Sequence, residues 1–171
     1  MVPIIKGLVG ALCAVIYRIR WGARVAGTSF IIRKPDLVRV SKGAFMSLGL
    51  GVHVETRARI VVRGQLLVGS HVYIGKNSTL SVFDSLMIGD GTLIGENVSI
   101  HTENHGPQGK RMEYRSAPIV IGKEVWVGAG VVITGGVTIG DGATVGANAV
   151  VTKDIPAGAV ALGIPALIAK L

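Results

Sequence analysis

The chain has 171 residues and a mass of 17.7 kDa, enough for one domain. Apolar residues make up 49% of it, aromatic residues 5% and charged residues 16%, with 25 glycines and one cysteine; this excludes a disordered chain, a disulfide scaffold, a multi-cysteine zinc site and, for want of a G-X-Y period, collagen. The formal net charge of +8 points to an anionic partner, but no zinc finger, helix-turn-helix or RNA-binding aromatic signature accompanies it, so no nucleic acid is expected.

The first 25 residues differ from the rest. An apolar run from Gly7 to Tyr17 is bounded by Lys6 and by Arg18 and Arg20. It is shorter than the ~20 residues that a transmembrane helix needs. Ile5, Leu8, Leu12, Val15, Ile16 and Ile19 fall three or four apart, which predicts a helix over residues 1–25 with one apolar face. Two readings of this helix stand: a cap on the open end of a repeat domain, or a segment lying on a membrane surface with its arginines near lipid phosphate. Cys13 sits inside the apolar run and is expected to be a small buried hydrophobe. A single cysteine suits a reducing compartment, so the expected location is the cytoplasm, at the inner face of the cytoplasmic membrane if the second reading holds.

Phe30, Ile31, Ile32, Val38 and Val40 predict short strands in the less regular stretch that follows. From about residue 50 a six-residue beat takes over. Val62, Val68, Ile74 and Leu80 are six apart; Val82, Ile88, Ile94 and Ile100 repeat the spacing after a two-residue slip; Ile121, Val127, Ile133, Ile139, Val145 and Val151 repeat it again. The next residue is often Gly, and the residue four positions after the aliphatic one is often small or apolar, as at Thr92, Val98, Val125, Val131, Val137, Ala143 and Ala149. This pattern predicts short strands joined by sharp corners, each aliphatic side chain pointing inward onto its equivalent one coil away. Three hexads make one triangular coil, cleanest over residues 121–138 and 139–156. The expected fold is therefore all-β, a parallel β-helix domain over residues 26–168 with a short N-terminal helix and one inserted loop. A conventional sandwich would not keep a six-residue phase.

The insertion lies between Ile100 and Ile121, a gap three residues longer than one coil, and reads HTENHGPQGKRMEYRSAPIV. A loop at 101–120 that breaks a regular solenoid is the first place to look for function. Here His105, within Asn104-His105-Gly106, is the candidate general base. A hydroxyl is a poor nucleophile at neutral pH, and a neutral imidazole in reach can take its proton. Glu103 and Glu124 are candidates to orient the ring. His101 stands where Gly follows the aliphatic residue elsewhere, and is expected to support the loop. His53 and His71 are expected to be surface or coil-stacking residues. Lys110, Arg111 and Arg115 suit either a solvated face or an approach to acceptor oxygens.

The repeats together with Asn104 to Gly106, the run from Pro118 to Gly158 and Gly163 to Ala166 resemble the hexapeptide-repeat acyltransferases, most nearly the galactoside, maltose and colanic-acid O-acetyltransferase branch. That resemblance implies left-handed coiling, a homotrimer with active sites at subunit boundaries, and acetyl-CoA as acyl donor. It implies His105 as the catalytic histidine, Asn77 and Asp84 as acceptor-binding residues, and Trp126, Ala129, Ala147, Thr152 and Lys153 along the CoA groove. Because the thioester is already activated, direct transfer to a saccharide or lipid-linked glycan hydroxyl needs no metal and no acyl-enzyme. The other readings are N-acetylation of an amino sugar or small metabolite, a non-catalytic trimeric scaffold, and a metal-dependent carbonic anhydrase of the same fold using His101 and His105.

Overall fold

The computed structural model describes Leu12 and residues 25–27, 30–33, 37–105 and 113–169. The predicted N-terminal helix over residues 1–25, with Cys13, lies outside these apart from Leu12 and Val25. No described helix is long and apolar enough to cross a membrane.

The chain winds as a left-handed parallel β-helix of about six coils with three flat faces. The first face stacks Val25–Gly27, Phe45–Leu48, Gln65–Val68, Ser85–Ile88, Ile119–Ile121 and Thr138–Ile139. The second stacks Phe30–Ile32, Val52–Val54, Tyr73–Ile74, Leu93–Ile94, Trp126–Val127, Thr144–Val145 and Val160–Leu162, and ends on the antiparallel strand Leu167–Ile168. The third stacks Val38–Val40, Arg59–Val62, Thr79–Val82, Ser99–His101, Val132–Thr134 and Val150–Val151.

All fourteen aliphatic residues of the six-residue beat are buried, in rows such as Ile74, Ile94, Val127 and Val145 down the second face. Each row joins nearest-neighbour coils, and each full aliphatic burial contributes about 1.5–3 kcal/mol. The corners explain the glycines and asparagines. A Cβ on Gly75 would lie 2.5 Å from the backbone carbon of Gly95 in the next coil, so only glycine admits that approach. Asn77, Asn97 and Asn148 hold the neighbouring corner positions at φ of 57–59°, the left-handed region that asparagine tolerates. Buried corner hydroxyls are paired. Thr92 Oγ1 donates to the Gly122 carbonyl at 2.8 Å and accepts the Val125 N–H at 3.2 Å.

Two features of the sequence pattern take a different form from that expected. The two-residue slip recurs in the coils from Phe45 to the insertion: Gln65 pairs with Ser85, Tyr73 with Leu93 and Thr79 with Ser99, so these coils are 20 residues long, and the first coil is longer still, with Phe30 opposite Val52 and Val38 opposite Ile60. The extra pair of residues sits at the corner from the third face to the first, where Ile60 and Val62, then Leu66 and Val68, all point inward. Below the insertion Ile121 pairs with Ile139 and Ile133 with Val151, and the coil is 18 residues. The insertion is likewise no coil with three residues added. Ile100 is on the third face and Ile121 on the adjacent first face, so the inserted segment replaces one corner.

Candidate active site

That corner projects a β-hairpin. Glu103–His105 pairs antiparallel with Tyr114–Ser116, Asn104 opposite Arg115 and His105 opposite Tyr114. The turn, residues 106–112 with Lys110 and Arg111, lies outside the described residues. The hairpin is pinned at its base by Thr102, which is 1% exposed. Its Oγ1 accepts the N–H groups of Phe83 and Asp84 at 2.8 and 3.1 Å, and its carbonyl accepts the Ala117 N–H at 2.9 Å. Ser116 Oγ donates to Asp84 Oδ2 at 3.2 Å, tying the returning strand to the coil above.

His105 is exposed on this arm, and its N–H donates to the Asn104 Oδ1 at 2.9 Å. Clefts flank it on both sides. One, of about 320 Å³, is lined by His101, Glu103, Asn104, His105 and the Val132–Thr134 strand. The other, of about 410 Å³, is lined by Thr102, Asn104, His105, Arg115 and residues 116, 117 and 135. His105 lines both clefts, so a group held in either one lies beside its imidazole.

His101 and Glu103 form a pair beside it. Glu103 Oε1 lies 3.3 Å from His101 Nδ1, with the side chains 17% and 40% exposed. Glu103 is therefore engaged by His101, and Glu124 lies at the corner between the first and second faces at φ 53°. The position of His101 is not a glycine position on this face: its equivalents are Ser81 and Thr134, because the third-face strands run one residue further before turning. The pairing of His101 with Glu103 depends on the corner turning between them, and spacing in the sequence carries no signal for it.

The remaining candidates fall on the two edges of the third face. Asp84, Thr152 and Lys153 share with His105 the edge toward the first face. Asn77, Ala129 and Ala147 lie at the opposite edge, toward the second face, and Trp126 stands on the second face itself, 60% exposed. Asn77 is part of the corner ladder: its Nδ2 donates to Asn97 Oδ1 at 3.2 Å. Among the described residues no group of three or more His, Cys, Asp or Glu is placed to hold a metal ion. Elsewhere, His53 stacks against Tyr73 with ring centroids 5.7 Å apart and lies 3.2 Å from Glu55.

The family described as bacterial transferase hexapeptide (six repeats) matches residues 118–153. Among solved structures, a hexapeptide-repeat-containing acetyltransferase from Vibrio cholerae, complexed with acetyl-coenzyme A, is 30% identical over 91% of this chain and 74% of that one, with a TM-score of 0.63. A maltose O-acetyltransferase from Clostridium difficile 630 is also 30% identical, with a TM-score of 0.54. There the match covers 68% of this chain and spans 62% of the length of that protein. An N-acyltransferase from Bacillus cereus superposes over 91% of this chain and 88% of its own with a TM-score of 0.78, and at 18% identity it speaks for the fold alone. No curated protein sequence matches significantly. With the stacked coils, the projecting histidine arm and the extent of the match to the Vibrio cholerae acetyltransferase, the chain belongs to the hexapeptide-repeat acyltransferases.

Proposed function

We propose that the protein transfers an acetyl group from acetyl-CoA to a hydroxyl of a saccharide or glycan precursor, with His105 as general base. The observation that carries this reading is the placement of His105 between two clefts, on a hairpin whose base is held by Thr102 and Ser116. In the proposed step, one ring nitrogen of neutral His105 takes the hydroxyl proton as the oxygen attacks the thioester carbon. The new C–O bond forms, the C–S bond breaks, and the imidazolium returns its proton to the departing CoA thiolate. A backbone N–H near Ala129, in a neighbouring subunit, would hold the developing oxyanion.

The split of the candidate residues between two edges supports a homotrimer. One chain carries His105, Asp84, Thr152 and Lys153 on one edge and Ala129, Ala147 and Asn77 on the other. A closed three-fold ring sets the first edge of each chain against the second edge of its neighbour and completes three equal sites. Exposed apolar residues support the same assembly. Met87 and Val120 follow Leu67 down the first face, and Leu93 and Trp126 follow Tyr73 down the second. A second copy would cover them.

His105→Ala tests the reading. With retention of a trimer by light scattering, turnover should fall about 10²–10⁴-fold, the usual scale for a positioned acid–base group. Mass spectrometry of the wild-type reaction should show a single acetyl ester on the acceptor. Near-wild-type transfer by a folded His105→Ala variant would remove His105 as the base, and an amide product would replace O-transfer with N-transfer.

A further inference from the structure

Charge is distributed unevenly along the chain. Twelve of the 18 basic residues precede residue 83, against two of the ten acidic ones. In the described coils the excess gathers on the third face. Arg39 and Arg59 point outward from its first two strands, Arg57 and Lys76 stand at one edge, and Lys42 at the other, all exposed. Among the described residues no carboxylate lies within 4.0 Å of any of these five. The one described carboxylate before Asp84, Glu55, is held by Arg33 and His53 at 3.3 and 3.2 Å.

The same face leads to the candidate active site. Arg39 shares an outward row with Val61, Ser81, His101 and Thr134. Arg59 heads the adjoining row through Thr79, Ser99 and Val132. At about 4.8 Å between strands, Arg39 is about 14 Å from His101 and Arg59 about 10 Å from Ser99. The interval carries the hydroxyls of Ser81, Thr79 and Ser99, which are suited to saccharide oxygens. The cations end where the hydroxyls begin, and the hydroxyls end at the cleft of His101 and His105.

We propose that the third face binds the acceptor through a phosphate-bearing group, held by Arg39 and Arg59, while a short saccharide spans the hydroxyl rows and presents its reacting hydroxyl to His105. This rests on the transferase reading above and adds the acceptor class. Guanidinium groups on adjacent strands offer several fixed donors to the many oxygens of a phosphate or diphosphate, more than one carboxylate can engage. A cationic face also suits an anionic bilayer. The acceptor reading is favoured because the cations and the histidine cleft share the same two rows of one face.

The experiment is a binding and kinetic comparison of wild type with R39A/R59A and the milder R39Q/R59Q, using the full chain. Calorimetry with a nucleoside diphosphate-hexose, at saturating CoA so that the donor groove is filled, should show binding that weakens at least about tenfold in both variants, the scale of losing charge-assisted hydrogen bonds. In steady state the phosphorylated hexose should have a KM at least about tenfold below that of the matching neutral methyl hexoside. This advantage should shrink with added salt and disappear in the variants without a matching rise in the acetyl-CoA KM. Equal binding by wild type and variants overturns the proposal, as does an effect confined to acetyl-CoA. Loss of binding only to phosphatidylglycerol vesicles, with acceptor kinetics unchanged, also overturns it and assigns the face to a membrane. Arginine-dependent binding of the nucleoside diphosphate-hexose with no acetyl transfer to any acceptor would retain the site and reject the transferase reading. Transfer to neutral sugars with no preference for phosphate would do the reverse.

Discussion

Among the described residues, Glu103 gives one carboxylate oxygen to His101 and leaves the other buried without a hydrogen-bond partner. Oε1 lies 3.3 Å from Nδ1 of the imidazole, and Oε2 has almost no solvent contact. An unsatisfied buried oxygen costs about 1–3 kcal/mol, and such a cost at the wall of the cleft is characteristic of a group kept for function. When Nδ1 donates to Oε1, Nε2 of His101 is left as the acceptor. Glu103→Met should therefore leave Tm unchanged or raise it by a few degrees, while lowering turnover by about tenfold or more. Glu103→Gln, which keeps an acceptor for His101, should retain more activity than Glu103→Met. Thermal unfolding and acceptor kinetics on the two variants check this. A clear fall in Tm for Glu103→Met with full activity would make the pair a structural brace.

We propose that Lys153, which the resemblance places along the CoA groove, contacts a CoA phosphate. It is exposed at the corner after Val150–Val151, and the next residue fixes the backbone there: Asp154 Oδ1 accepts the Thr138 N–H at 2.7 Å. Lys153→Ala should raise the acetyl-CoA KM more than it lowers kcat, with a smaller effect at high salt. Unchanged acetyl-CoA dependence would place Lys153 outside the donor groove.

Glu55 makes the second-face edge sensitive to acid. The Thr56 N–H, which donates to its carboxylate at 3.1 Å, does most to hold its pKa below the ordinary 4.5, with Arg33 and His53 adding to this and partial burial opposing it. A depressed folded-state pKa stabilises the protein above the ordinary carboxylate value, and that contribution is lost as pH falls through the folded value. Between about pH 5 and pH 3 the wild type should therefore lose more Tm than Glu55→Gln, and the two curves should run parallel above pH 6. Parallel curves over the whole range would mean that Glu55 gains nothing on folding.

The fold was legible because the physics of a coil repeats. An inward aliphatic residue every six positions has one simple explanation, and Ile74, Ile94, Val127 and Val145 occupy the stacked row that it implies. The pattern does not say which face a hexad occupies. Hence the gap from Ile100 to Ile121, one coil and three residues by length, proved to be an enlarged corner with a hairpin. His105 stood out through its place in the interruption. The pairing of His101 with Glu103 and the alignment of Arg39 with His101 arise from corner geometry and from register across four strands, neither of which is periodic in the chain.

Asn77 carries two competing assignments that one substitution separates. Resemblance gives it to the acceptor, whereas the fold uses it as a corner: φ is 59°, its N–H donates to the Thr56 carbonyl at 3.3 Å, and its Nδ2 donates to Asn97 Oδ1 at 3.2 Å. A residue with a Cβ and no local side-chain bond costs about 1–2 kcal/mol in this conformation, while glycine adopts it freely. Asn77→Ala should therefore lower Tm by several degrees, and Asn77→Gly should lose little. The corner is preserved in Asn77→Gly while the side-chain amide is gone, so its kinetics isolate any contact with substrate. If Asn77 positions the acceptor, the glycine variant should show an acceptor KM raised by about fivefold or more, the scale of one lost hydrogen bond, with the acetyl-CoA KM unchanged. Wild-type kinetics in a stable Asn77→Gly protein would leave the asparagine as a corner residue alone.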